Sequence, residues 1–425
     1  MASSLIERFL FLTSLYFGAI INFFLQETKE KHTMHDINYS NQHESVEHYF
    51  LGCCEDCLTS LEIIKSIPTP FLLVEEKIVK RNITRIHEYA NRHRFAVRPH
   101  VKTHKSLHIA RMQINFGAVG IAVAKVGEAE IMAKPGNIDI TVAYPSIGPD
   151  SAEKLAKLSC KQKIRVAADS EYGMNELSNT AVKHNTTIGI LVMFDAGLHR
   201  CGVSDPHQIV KLVQHLKTLP GLRYDGIQMY LGHLYGNAAG NPESFNQINL
   251  LWEPAYEALC KTGLRPETIS SGSTPSLENT HLVHHVNEIK VGTYVLNDYF
   301  VLKFGHCTLK DCAARVITTV VSDVVSGRVI IDAGSKALSA KQLLSHENLE
   351  MGYIPEYPQA RIFRLHEEHG WVDVSQCANP PTIGQRISIV PVNVALCMNL
   401  YDEFYFYTIE GTLKKEKVDA RGRCN

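Results

Sequence analysis

The sequence predicts a (β/α)8 barrel followed by an antiparallel β domain. Three observations predict it. Short apolar runs rich in Val and Ile recur from Pro70 to about Gly305. Between them lie stretches with apolar residues near helical spacing. After about Gly305 the rhythm changes, and apolar runs follow one another with little helix between them. Continuous apolar runs suit strands buried on both faces, as in a parallel sheet. Strand alternating with helix around eight times over roughly 230 residues is the pattern of a barrel. An open doubly wound sheet is the competing arrangement, but no Gly-x-Gly-x-x-Gly turn follows the first strand.

Taken in order, residues 1–66 read as a leader, 67–305 as the barrel and 306–425 as the β domain. The leader holds "FLFLTSLYFGAIINFFL" (9–25), nearly all apolar but slightly short for a spanning helix. Upstream it has only Arg8, offset by Glu7, and no small-residue cleavage site follows, so it makes a poor signal peptide. A membrane anchor, a packing helix and translated sequence upstream of a true start at Met34 are all open. The ordinary polar stretch after Met34 favours the third, so membrane contact is expected only if 9–25 is retained. The strand runs are "FLLVE" (71–75), "FAVRPH" (95–100), "AVGIAVA" (118–124), "IDITVAY" (138–144), "KIRVAAD" (163–169), "IGILVMFD" (188–195), "YDGIQMY" (224–230), "TISSGS" (268–273) and "EIKVGTYV" (288–295). Residues 76–93 and 205–219 are the clearest helices. In the last third, 312–323, 327–334, 384–400 and 402–413 read as β structure.

Composition excludes several classes of function. The formal net charge is −1, so no overall field favours nucleic acid or an anionic membrane. No basic run with interleaved aromatics occurs, and nucleic-acid binding is set aside. The 11 cysteines are odd in number and scattered, which suits reduced thiols in the cytoplasm better than a disulfide framework. The one cluster, Cys53-Cys54-Glu55-Asp56-Cys57, lacks the second pair that a structural zinc site needs.

Barrel chemistry sits where the strands end. The second run ends in "RPHVKTH", with Arg98, His100, Lys102 and His104; others end in "DAGLHRCGV", with Arg200, and in Tyr230-Leu-Gly-His233. Two late loops, Gly272-Ser273-Thr274 and Gly292-Thr293-Tyr294, expose small residues and hydroxyls that suit a phosphate dianion, although Gly-Ser-Thr is also an ordinary turn. A lysine among cations near such loops is a candidate for a Schiff base, because desolvation and neighbouring positive charge free its amine. Lys102 and Lys105 as solvated residues at a strand end is the other reading.

"RPHVKTHKS" resembles the lysine motif of the D-threonine aldolase and D-serine dehydratase family. "RCGV" (200–203), "GSTPS" (272–276), "VGTYVLND" (291–298), "IIDAGSKALS" (330–339) and "EEHG" (367–370) follow in the family's order, from "TPFLLVE" at Thr69 to "NLYDEFYFY" near Tyr407. The resemblance implies a pyridoxal 5'-phosphate enzyme with an alanine racemase-like barrel, a C-terminal β domain, a small amino acid as substrate and a homodimer. It implies that Lys102, not Lys105, holds the cofactor through an imine and later carries the α-proton. It places Arg200 at the pyridine nitrogen, Tyr230 beside ring or substrate, and Ser273, Thr274, Gly292 and Tyr294 around the phosphate. His100 and His104 either orient Lys102 and carry protons or are buried hydrogen-bonded histidines.

One stretch departs from the family. Its metal pair lies in Pro-x-His-x-Cys or Pro-x-His-x-Asp, where this chain reads "VPVNVALCMNLYDE". The histidine position is Asn393, and the Cys/Asp position is Ala395. Neither suits zinc. If this stretch is a strand, Cys397 shares a face with Ala395 and could replace the missing ligand; a small core cysteine is the alternative. No metal is therefore expected. The expected activity is that of a lyase on small D-amino acids. An amino-acid racemase and a non-catalytic cofactor-binding protein stand behind it.

Overall fold

A computed structural model describes residues 64–345 and 348–425. The apolar segment 9–25, Met34 and the cysteine cluster at 53–57 lie outside the described residues. Nine runs had been read as strands, and the structure divides them between two sheets. The first, β1 (Phe71–Glu75), does not join the barrel. The other eight do: β2 (Ala96–Val97), β3 (Ile121–Val123), β4 (Ile140–Val142), β5 (Ile164–Ala168), β6 (Ile188–Met193), β7 (Leu222–Gln228), β8 (Thr268–Ser271) and β9 (Glu288–Ile289). They form one parallel sheet in the order β2-β9-β8-β7-β6-β5-β4-β3. The ring closes between β2 and β3, where Ala122 N–H donates to the Pro99 carbonyl (2.8 Å) and Val119 N–H to that of Val97 (3.0 Å).

The alternation of side chains along these strands builds two different interiors. Ile121, Val123, Ile140, Val142, Ile164, Val166, Ile190, Val192 and Ile227 pack outward. They meet Met132, Leu155, Leu177, Val213 and Leu216 on helices α3 (Val126–Met132), α4 (Pro149–Ser159), α5 (Glu171–Lys183) and α6 (Pro206–Thr218), which follow α1 (Glu76–His93) and α2 (Leu107–Asn115). Each such side chain, nearly water-free, contributes about 2 kcal/mol. The intervening positions face the barrel axis, and several there or at the adjoining strand ends are charged. Arg98 Nε meets Glu288 at 2.9 Å, Arg98 Nη1 meets Asp139 at 2.9 Å, and Arg165 Nε meets Asp225 at 3.0 Å. Buried pairs of this kind hold register more than they add stability, since desolvation offsets most of their attraction.

The second sheet is mostly antiparallel. Its strands are β10 (Ala314–Val325), β11 (Arg328–Ile331), β14 (Arg361–Leu365), β15 (Gly370–Asp373), β16 (Arg386–Ile389), β17 (Glu403–Tyr407) and β18 (Leu413–Lys417), while β12 (Leu343–Ser345) and β13 (Asn348–Glu350) form a separate hairpin. β1 lies within it, antiparallel to β10 and parallel to β17. Leu72 and Val74 enter one core; Phe71 and Leu73 enter a smaller one on the opposite face. An apolar run buried on both faces fits a barrel or a central sheet strand equally well, so periodicity alone does not place "FLLVE". Of the run 384–400, only Arg386–Ile389 is a strand, and Val394–Met398 is a short helix. No helix among the described residues is long and apolar enough to cross a membrane.

Candidate active site

The C-terminal ends of β2 and β9 open onto a cavity of about 690 Å3 whose other wall comes from the second sheet's connections. From the barrel it is lined by His100, Lys102, Tyr230, Ser273, Thr274, Lys290 and Gly292; from the other side come Asn393, Ala395, Leu396 and Asn399. The two walls are pinned together beside the lysine motif. Lys105 Nζ donates to Asn399 Oδ1 (2.9 Å) and pairs with Glu128 (3.2 Å). The Lys105 carbonyl accepts from Ala420 N–H (3.0 Å). Lys105 is thus a tether.

Lys102 sits in a 3-10 turn, Val101–Thr103, directly after β2. Its side chain is exposed within the cavity, and its amine is bonded to no described protein atom. Surrounding protein, and next the Arg200 guanidinium, lower its pKa below the ordinary lysine value. The turn is set by His100, whose Nδ1 accepts from Lys102 N–H (3.4 Å). Burial and the nearby amines hold the His100 imidazole neutral, its pKa well below the usual value. The neutral tautomer then carries its hydrogen on Nε2.

His104 is placed differently. It is fully buried and does not line the cavity. Its Nδ1 accepts from Ser106 N–H (3.1 Å), so its Nε2–H donates to Gln113 Oε1 (3.3 Å). Gln113 Nε2 in turn donates to the Tyr294 hydroxyl (3.0 Å). Burial lowers the His104 pKa to about 4. Both nitrogens are spent on protein partners: the side chain joins the turn after β2 to α2, and Gln113 carries the link on to the turn after β9. Tyr294 is likewise buried, with its hydroxyl committed to Gln113 and its N–H to Thr274 Oγ1 (3.1 Å).

Of the remaining barrel residues, Tyr230, Ser273, Thr274 and Gly292 line the cavity, while Arg200 lies behind Tyr230 and does not line it. The Arg200 guanidinium lies 4.9 Å from the centre of the Tyr230 ring, a cation–π arrangement. Burial raises the Tyr230 pKa, with Arg200 opposing, so the phenol keeps its proton. The Ser273 hydroxyl pairs with that of Ser276 at 2.8 Å, which fixes the loop after β8. A Cβ on Gly292 would lie 2.8 Å from the His100 carbonyl and 2.9 Å from Thr103 Oγ1. Only glycine lets the two loops come this close.

Motif reading missed two groups. Arg423 and Cys424 line the cavity from the C-terminal segment, and nothing in their local sequence announces it. Lys290 lines it from the end of β9, 4% exposed, its amine without a hydrogen-bond partner. A signal for Lys290 existed: a cation between Ile289 and Val291, in phase with inward-facing Glu288, cannot reach water.

The donors present decide which groups this cavity can hold. Pyridoxal phosphate fits. A free amine with a lowered pKa faces the cavity, two small-residue loops adjoin it, and Lys290 Nζ, whose side chain lines it, is buried without a protein partner. An orphaned buried polar atom at such a wall calls for a polar occupant. The family's metal does not fit. Asn393 and Ala395 do face the cavity, but Asn393 Oδ1 caps the helical turn by accepting from Leu396 N–H (2.9 Å), and Ala395 has no donor. Because this stretch is helical rather than extended, Cys397 turns away from Ala395. It is fully buried, its thiol donates to the Ala337 carbonyl (3.2 Å), and burial pushes its pKa up. It cannot rebuild the site. Among the described residues, no three His, Cys, Asp or Glu side chains gather at metal-binding distance.

Known proteins share this arrangement. Residues 74–299 match the alanine racemase N-terminal domain model, and residues 313–407 match that of a putative serine dehydratase domain. The chain is 30% identical over 342 residues to a D-threonine aldolase of an Arthrobacter species, covering 79% of this chain and 88% of the relative. It is 26% identical to a D-serine dehydratase of Dictyostelium discoideum, covering 80% and 94%. The crystal structure of D-threonine aldolase from Filomicrobium marinum superposes with a TM-score of 0.78 at 27% identity, covering 84% of this chain and 97% of that one.

Proposed function

Since the chain belongs to the family of D-threonine aldolases and D-serine dehydratases, we propose that it is a pyridoxal phosphate-dependent lyase of small D-amino acids carrying a β-hydroxyl, and that it works without the family's metal. One observation carries this reading: the unbonded, low-pKa amine of Lys102 opens into a cavity bordered by the Ser273-Thr274 and Gly292 loops. Bound pyridoxal phosphate supplies an aldehyde for that amine and an electron-withdrawing ring for a carbanion at Cα. The residues supply the rest. Burial and Arg200 lower the Lys102 pKa and so favour its neutral form, the form that attacks a carbonyl and later accepts a proton from Cα. His100 holds the turn that aims Lys102 and offers Nε2–H as a donor. Tyr230, protonated, offers a second donor on the cavity wall. Ser273, Thr274, Thr293 and Gly292 form the small-residue border suited to phosphate.

Without a metal on the β-hydroxyl, these donors must assist its departure or deprotonation. The same vacancy of donors favours one second reading, a racemase, because moving the α-proton alone needs no metal. A cytoplasmic homodimer completes the proposal. The free thiols of Cys160, Cys201 and Cys260 support the compartment, and light scattering tests the dimer. The deciding experiment adds pyridoxal phosphate to purified protein, traps with borohydride and maps the label. It then assays D-threonine, D-serine and both alanine enantiomers. Label on Lys102, with glycine plus acetaldehyde or pyruvate plus ammonia, is expected. Loss of optical rotation alone would establish the racemase, and label elsewhere would end the reading.

A further inference from the structure

One side of the cavity is accounted for by the small-residue loops after β8 and β9. The other side also carries positive charge, and nothing proposed above uses it. In the ring, β9 and β8 lie on one side of β2, while β3 closes against the other through the bridge between His100 and Ala122. Lys102, directly after β2, therefore stands between the phosphate-suited loops and the loop after β3. That loop carries Lys125, which lines the cavity. Segment 418–425, which runs on from β18, brings Arg423 to the same wall. The segment is firmly seated. Ala420 N–H donates to the Lys105 carbonyl (3.0 Å), Gly422 N–H donates to Asn399 Oδ1 (3.0 Å), and the Asp419 carboxylate accepts from Leu107 N–H (2.7 Å). The Asn425 carbonyl accepts from Gly127 N–H (2.7 Å). A Cβ on Gly127 would lie 2.9 Å from that oxygen and 3.4 Å from Arg423 Cβ. Glycine at 127 thus lets the segment lie against the start of α3, two residues from Lys125.

Neither cation has a carboxylate partner among the described residues. Lys125 Nζ sits 3.7 Å from the centre of the Tyr144 ring, which holds the amine without neutralising it. Arg423 is exposed at the rim. The two carboxylates that line the cavity are engaged elsewhere. Glu128 holds Lys105 (3.2 Å) and the Ala124 N–H (2.7 Å), and Asp298 accepts from the N–H groups of Val301 and Val394 (3.1 Å each). A single surface cation usually faces water and does nothing more. Two on one cavity wall, from remote parts of the chain and each held in place, oppose one another unless an anion joins them. The barrel wall has donors beside Lys102 for an α-carboxylate, so the rim suits a group that projects further. We propose that Lys125 and Arg423 form a subsite for a carboxylate on the substrate's side chain, and that a β-hydroxy D-amino acid with this second acid is a better substrate than D-serine or D-threonine. This rests on the function proposed above and narrows its substrate class.

The test uses cofactor-loaded full chain and two ligands of one shape, D-aspartate and D-asparagine, which lack the β-hydroxyl and differ by one charge. Titration calorimetry gives both dissociation constants for wild type, Lys125→Gln, Arg423→Gln and Arg423→Lys. Wild type should prefer D-aspartate by about tenfold or more. Each Gln variant should cut that preference by about fivefold, Arg423→Lys should keep most of it, and added salt should weaken it. In turnover, the ratio of kcat/KM for 3-hydroxy-D-aspartate to that for D-threonine should exceed one and fall in the Gln variants, mainly through KM. Equal affinities for the two ligands in wild type overturn the proposal. A Gln variant that weakens both ligands alike does so too, since that marks α-carboxylate binding or packing. Protein that forms no visible absorbance band with pyridoxal phosphate overturns the cofactor reading and this inference together. A normal band with an unchanged D-aspartate preference in both Gln variants overturns only this inference.

Discussion

The two walls of the cavity differ in kind. The barrel wall carries Lys102, His100, Tyr230, Lys290 and the Ser273-Thr274 loop, charged or polar groups held in a rigid parallel frame. The facing wall presents Asn393, Ala395, Leu396 and Asn399 from one helical turn and its end, none of them ionisable, while Lys341, Arg423 and Cys424 reach the cavity from elsewhere in that part of the chain. The same position in the fold that carries a metal pair in the family here carries a cap and a methyl group. On the proposed reading, chemistry at Cα draws on the barrel wall, whereas chemistry at Cβ lacks the metal pair that the family's second domain contributes. The contrast teaches that cofactor handling and β-hydroxyl handling are separable parts of one site.

The largest expected effect comes from breaking the barrel wall. Lys102→Ala should lower turnover by about three orders of magnitude or more. It should also abolish borohydride-fixed label, as mass mapping would show. A turnover within tenfold of wild type would mean that Lys102 is not the acting amine. Next is the buried chain behind that wall. His104 stays neutral in the folded protein down to about pH 4, while in the unfolded chain it takes a proton near pH 6.5. Its contribution is complete above pH 6.5 and is lost as pH falls through about 4, about 3 kcal/mol in all. Urea melts of wild type and His104→Gln at pH 7 and pH 4 measure it: the variant should lose less stability on acidification.

Gly292→Ala sharpens the comparison at smaller cost. Its Cβ would crowd the His100 carbonyl and Thr103 Oγ1, with a loss of about 1–3 kcal/mol and weaker cofactor binding by absorbance titration. An unchanged affinity would show that the loops separate easily. The smallest effect is expected on the other wall. Chelator treatment should change turnover by less than about twofold, since Asn393 caps its own turn and Ala395 has no donor for a metal. The double change Asn393→His and Ala395→Asp should instead produce a protein that retains zinc after gel filtration and whose activity responds to chelator. Strong chelator inhibition of wild type would return the metal to this wall.

Much of the site was legible because it is written in short contiguous motifs. Lys102, Tyr230 and the Ser273-Thr274 loop each end a strand, and in a parallel barrel every strand end reaches the same mouth. Two readings that the sequence leaves open are closed by the local backbone. His104 and Lys102 are two residues apart, but the 3-10 turn between them sends one inward to Gln113 and the other to the cavity. Cys397 seemed placed to replace a ligand only on the assumption of an extended backbone, and the turn capped by Asn393 rotates it into the core.

By itself the sequence determined the architecture and singled out Lys102 as the candidate amine at a strand end, because hydrophobic periodicity and local motifs depend on neighbours along the chain. Tertiary structure alone decided which sheet received β1, which histidine met the cavity, and that Lys290 and Arg423 border it. Those outcomes depend on groups brought together from distant positions, where burial and the nearest charges, rather than the adjoining residues, set what each side chain can do.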